Sequence, residues 1–197
     1  MGARWRTFAL ALLLLTPMPG RADELRLLNV GIRGGVDGPN VFGGDEKEHF
    51  QQYDAFATAA LPWVWWSGWG LELAPRLMST AGGLIAADEA GFVGSVVPLL
   101  AVGSPDGPLS LDAGVGAAVI SRHEFGVQDF GGAFQIVLTF GLRVPIYRGF
   151  GVGYRMQHLS DAKLYGEGTG ADLHMLELSY SFRRAGSRGS AEPRSRP

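Results

Sequence analysis

The chain has 197 residues, 46% hydrophobic and only 18% charged, with 30 Gly, 11 Pro, no Cys and a formal net charge of −2. That apolar content excludes a disordered chain, the low charge excludes a coiled coil, and the missing Cys excludes disulfide scaffolds, thiolate metal sites and cysteine nucleophiles. The longest uninterrupted apolar run, Phe8–Leu15, falls well short of the roughly 20 residues that a membrane-spanning helix needs.

That run has its own explanation. Arg4 and Arg6 precede it, Pro17, Pro19 and Gly20 end it, and Gly20-Arg21-Ala22 sets small residues where a signal peptidase reads. Residues 1–22 are therefore expected to be a cleaved signal peptide, which exports the chain and leaves 197 − 22 = 175 residues. Residues 23–182 hold 9 Lys and Arg against 18 Asp and Glu, a formal −9, whereas residues 183–197 hold 5 Arg against one Glu. The stretch 184–197 is expected to be a disordered Arg-rich tail. Nothing in the acidic body suggests nucleic acid as a partner.

Between these ends no amphipathic helical stripe and no internal repeat is found; alternation recurs instead. Eight such segments follow in chain order, at about 25–36, 51–64, 69–80, 91–102, 109–121, 131–144, 149–160 and 171–183. In the third, Trp69, Leu71, Leu73 and Leu77 oppose Glu72, Ala74 and Arg76. In the fifth, Leu109, Leu111, Val115 and Val119 oppose Ser110, Asp112, Gly114 and Gly116. In the sixth, Phe134, Ile136, Leu138, Phe140 and Leu142 oppose Gln135, Thr139, Gly141 and Arg143. Successive side chains of a strand point to opposite faces, so each segment has one greasy face and one small or polar face.

A soluble β-sandwich alternates too, but three features favour an all-β, eight-stranded antiparallel transmembrane β-barrel of the bacterial outer membrane. The small and polar face carries Asp54, Glu72, Arg76, Asp112, Arg143, Arg155 and Glu177, which suits a narrow polar lumen. Trp63, Trp65, Trp66 and Trp69 cluster around Ser67-Gly68, as an interfacial aromatic girdle does. Connections alternate between short (Ser67-Gly68, Gly103–Pro108, Pro145–Arg148) and long (37–50, 81–90, 122–130, 161–170). With an even strand number, the short turns are expected on the periplasmic side and the long loops outside. Eight strands leave an interior filled by side chains, which argues against a pore.

An enzyme acting on lipid would carry reactive groups on the outside of the wall, where polar residues normally cost energy. The seventh segment does this: Val152, Tyr154 and Met156 continue into His158 and Ser160 on one face. The eighth continues its outward face from Asp172 through His174, Leu176, Leu178 and Tyr180 to Phe182. Joined as a hairpin, the two strands bring residues 158–160 and 172 together at the rim. Ser beside His beside a carboxylate is the nucleophile, base and orienter of acyl transfer. A polar rim where strands leave the membrane is the alternative.

The stretch RMQHLSDAKL (Arg155–Leu164), with Asp172 twelve residues after Ser160, resembles the PagL-type lipid A 3-O-deacylases, as do DAGVGAAVIS (Asp112–Ser121) and FGGAFQIVLTFGL (Phe130–Leu142). The likeness covers about residues 110–182. It implies an outer-membrane barrel that hydrolyses the 3-linked acyl ester of lipid A, with Ser160 as nucleophile, His158 as base, Asp172 orienting the imidazole, and neither metal nor other cofactor. Two departures bear on oxyanion stabilisation: Asp161 where the family usually has Asn, and Lys163 where Gly is common. The acid is often Glu in that family. Lipid A and membrane lipids are the implied partners, with a homodimer as an open alternative. A non-enzymatic anchor or adhesin, or another esterase or phospholipase on the same surface, is the rival reading.

Other groups carry less. Asp45, Glu46, Glu48 and His49 could ligate a cation but read better as a solvated acidic loop. GVGAAV (Gly114–Val119) mimics a dinucleotide fingerprint but lies within a strand pattern with no helix after it. His123 and His174 read as solvated rim residues, with His174 a candidate contact for a lipid headgroup.

Overall fold

Residues 25–39, 41–42, 46–62, 64–104, 109–166 and 169–182 are described by a computed structural model. The expected signal peptide (1–22) and tail (184–197), together with Asp45 and Trp63, lie outside the described residues. The strands are β1 (Arg26–Asp37), β2 (Gln51–Ala60), β3 (Trp66–Gly68), β4 (Leu71–Ala86), β5 (Glu89–Gly103), β6 (Ser110–Ile120), β7 (Glu124–Phe125), β8 (Gln128–Asp129), β9 (Phe134–Tyr147), β10 (Phe150–Ser160) and β11 (Ala171–Ser181). All pairings are antiparallel, and the circuit runs β1, β2, β4, β5, β6, β9, β10, β11 and back to β1. Closure leaves no sheet edge, so the backbone groups of the wall are satisfied within it, which a bilayer interior demands. The chain is a closed eight-stranded antiparallel β-barrel.

The alternation read from the sequence divides outside from inside. Ile32, Val96, Val115, Phe140, Leu176 and Leu178 are exposed on the outer wall, where a bilayer takes the place of water. The lumen is filled in two layers. Across its middle, Arg33 bonds Asp54 at 2.6 Å and Gln157 at 2.9 Å, while Arg155 bonds Asp112 at 2.8 Å and also Glu177. At the long-loop end, Phe50, Phe125 and Phe130 meet edge to face beneath the small β7–β8 hairpin, packed on Leu84, Leu159 and Leu173. Of the charges expected in the lumen, Asp54, Asp112, Arg155 and Glu177 lie there as paired ions, whereas Arg76 donates to Ser110 Oγ at 3.0 Å.

Three connections differ from expectation. The segment 81–90 is not a long loop: β4 and β5 stay paired to Ala86 and Glu89, and only Ala87 and Asp88 turn the chain. The short turns read at Ser67-Gly68 and Pro145–Arg148 also move, because Ser67 and Gly68 are paired in β3 and the chain turns at Trp69-Gly70 and Arg148-Gly149. These three two-residue turns of the barrel wall have positive φ at both positions: 54° and 76° at 69–70, 51° and 60° at 87–88, 48° and 94° at 148–149. That is the hairpin geometry whose twist matches the flanking strands. The tryptophan cluster survives the shift, with Trp66 and Trp69 in edge contact and Trp69 95% exposed.

Candidate active site on the outer wall

β10 and β11 place the site. Their register sets His158 opposite Asp172 and Met156 opposite His174, so both pairs face outward at the long-loop end. His158 Nδ1 lies 2.6 Å from Asp172 Oδ1. That contact occupies one ring nitrogen and leaves Nε2 as the free edge of the imidazole. Ser160 stands two residues further along the same face. Among the described residues no hydrogen bond joins its Oγ to His158; such bonds are often long until substrate binds.

Asp172 is 0% exposed although it belongs to the outward face. Val41, Phe42 and Glu46, described residues of the connection between β1 and β2, contact it. Val41 N and Phe42 N donate to Asp172 Oδ2 at 2.6 and 2.8 Å, and Glu46 Oε1 accepts the Asp172 backbone N–H. The Phe42 ring meets His158 edge-on at 6.1 Å between centroids. Both carboxylate oxygens and the backbone N–H of Asp172 therefore have protein partners, as buried polar groups require.

Gly170 is a second contributor the sequence did not flag. It follows in register opposite Ser160, and a Cβ added there would lie 2.9 Å from His158 Cε1 and 3.2 Å from Ser160 Cβ. The missing side chain makes room for the imidazole beside the serine.

Asp161 is buried, with its carboxylate turned onto its own loop: Oδ1 accepts Lys163 N at 2.9 Å and Oδ2 accepts Tyr165 N at 3.2 Å. The turn it caps holds Ala162 and Lys163 at φ of 49° and 65°. The negative charge at this departure from the family pattern is thus committed to two amides.

The remaining candidates disperse. Glu46 serves Asp172, Glu48 accepts Val127 N at 2.9 Å, and His49 lies 3.1 Å from Asp37. The acidic loop is therefore braced onto the barrel rather than merely solvated. His174 is likewise bonded, through Nδ1 to Tyr154 Oη and through Nε2 to Pro39 O at 3.2 Å. His123, Glu124 and Asp129 offer ligand atoms within 4.8 Å of one another. Asp129 Oδ1, however, is committed to Gly131 N and His123 Nδ1. These two contacts, the amide first, hold the carboxyl below the usual range. Gly114 and Gly116 lie within β6, opposite β5 and β9, with no helix following.

A family profile described as lipid A 3-O-deacylase (PagL) matches residues 51–181. The chain belongs to the PagL family. The match begins at the start of β2, well upstream of the stretch whose likeness is visible by eye, and it leaves out β1 and the loop over Asp172. The crystal structure of the outer membrane enzyme PagL is similar in fold, with a TM-score of 0.63 at 19% identity, covering 78% of this chain and 99% of that one. The outer membrane protein Ail of Yersinia pestis in a nanodisc gives a TM-score of 0.41 at 14% identity, covering 79% and 99%. No curated protein sequence matches the chain.

Proposed function

We propose that this chain is a lipid A 3-O-deacylase working through Ser160, His158 and Asp172. The observation that carries the reading is the 2.6 Å contact of His158 with a fully covered Asp172 on the lipid-facing wall, two residues from Ser160, in a PagL-family chain. His158 Nε2 takes the proton of Ser160 as Oγ attacks the carbonyl carbon of the 3-linked acyl ester. The tetrahedral intermediate collapses, the bond to the sugar oxygen breaks, and His158 returns the proton to that oxygen. Water, deprotonated by the same imidazole, then attacks the acyl-serine and releases the fatty acid, and Ser160 regains its proton. Asp172 fixes the tautomer with the proton on Nδ1 and balances the imidazolium formed in each half-reaction. These steps use protein groups and water alone.

The outer membrane is where this substrate resides, and the apolar outer wall below His158 offers its acyl chains a surface they already prefer. Mass spectrometry of lipid A from cells with and without the protein tests the reading. The expected result is loss of one acyl chain, mapped to the 3-position. An unchanged acyl set would leave a non-enzymatic barrel. Fatty acid released from phospholipid with lipid A intact would point to another esterase.

A further inference from the structure

We infer that Val41 and Phe42, in the connection between β1 and β2, are part of the reaction machinery: their backbone amides are positioning groups that fix the carboxylate of Asp172 against His158. The inference rests on the function proposed above and extends it to a segment outside the family match.

The need for such a device follows from the topology. β1 ends at Asp37, opposite Leu173, so at Ala171 and Asp172 β11 has a paired neighbour only on the β10 side. An aspartate there would stand at an open strand edge, free to turn about its own side-chain bonds. One contact through Oδ1 does not set the plane of a carboxylate. The loop supplies the missing constraints. Two successive N–H groups converge on Oδ2 at 2.6 and 2.8 Å, the arrangement by which backbone nests hold anions. Glu46 caps the open edge by accepting the Asp172 N–H. With Oδ2 occupied, Oδ1 alone faces His158.

Burial does not account for this placement. Val41 and Phe42 are 58% and 42% exposed, so little apolar area holds them down. What ties them to the wall is the carboxylate itself, together with the edge of the Phe42 ring on His158 and the bond of Pro39 O to His174. Sequence separation is 131 and 130 residues for the two amide contacts, so the first loop and the last strand meet only once the barrel has closed.

Two measurements on the full chain in detergent micelles separate this inference from the activity. In amide exchange followed by NMR, the N–H groups of Val41 and Phe42 should exchange at least about tenfold faster in Asp172→Ala than in the wild type. Equal exchange rates would overturn the clamp whether or not the protein hydrolyses anything. In lipid A hydrolysis, Phe42→Pro, which deletes one amide, should lower kcat by about tenfold or more with KM within about twofold. Phe42→Ala, which keeps the amide, should cost less. Added to Asp172→Asn, the proline should cost no more than about twofold further, because the groups act as a unit. Wild-type kcat in Phe42→Pro would overturn the inference. A wild type that leaves lipid A intact would refute the proposed activity, with the exchange rates still deciding the clamp.

Discussion

Asp172 and Glu177 lie five residues apart on β11 and on opposite sides of the barrel wall. One carboxylate meets His158 outside, and the other meets Arg155 inside. Their partners are three residues apart on β10. A single strand pair therefore carries two carboxylate contacts back to back, one to an imidazole and one to a guanidinium, and the two can be perturbed separately.

Glu177→Gln removes the inward charge and leaves Arg155 with Asp112 alone. Buried hydrogen bonds to charged groups support a loss of about 2 kcal/mol of stability. Tryptophan fluorescence during urea unfolding from lipid vesicles should show a lower midpoint, while deacylation by the folded protein stays near wild type. Lost activity at unchanged stability would mean that the inward network reaches the site.

Ser160→Ala and His158→Ala should each reduce deacylation by about a thousandfold or more, and the double variant should be scarcely worse than either. Both side chains lie on the outward face at the rim, so the barrel's heat-modifiable migration on gels should be unchanged. A Ser160→Ala protein that deacylates at the wild-type rate has a different nucleophile.

Gly170→Ala tests the space beside the imidazole. Its Cβ would come 2.9 Å from His158 Cε1 and 3.1 Å from the Leu159 carbonyl oxygen, so the ring must move. Displacements of this size at a reacting group cost up to about a hundredfold in rate. The expected signature is a fall in kcat with stability changed by less than about 1 kcal/mol.

Orientation is open to a protease. Trypsin added to intact cells should cut after the exposed Lys163, in the loop between β10 and β11, and spare Arg148 in the tight turn between β9 and β10. Cleavage at Arg148 from outside would invert the barrel and put Asp172 on the wrong leaflet.

The barrel was legible because its signal is periodic. In β9 Phe134, Ile136, Leu138, Phe140 and Leu142 fall on even positions, and the outer wall takes all five, while Val137 turns inward. The turns were less so, because glycine marks two different things. The segment expected as a long loop, 81–90, contains Gly82, yet Gly82 lies in a paired strand, where an added Cβ would press on Asp54. The turn itself fell to Ala87-Asp88, of which only Asp is a common choice for positive φ. At the site, His158, Ser160 and Asp172 could be found from side-chain chemistry and spacing. The groups that brace Asp172 could not: a backbone amide has no letter of its own, and Val41 meets Asp172 across 131 residues of chain.

The outward placement of His158 and Asp172 also sets the kind of kinetics to expect. A molecule already in the same leaflet reaches them by lateral diffusion, approaching the wall from the side, so its journey is two-dimensional. The relevant concentration is then the mole fraction of substrate in the surface, and bulk concentration matters only once every surface is saturated. Adding inert detergent or phospholipid at fixed enzyme and substrate should slow turnover by surface dilution, though no inhibitor has been added and the protein is unchanged.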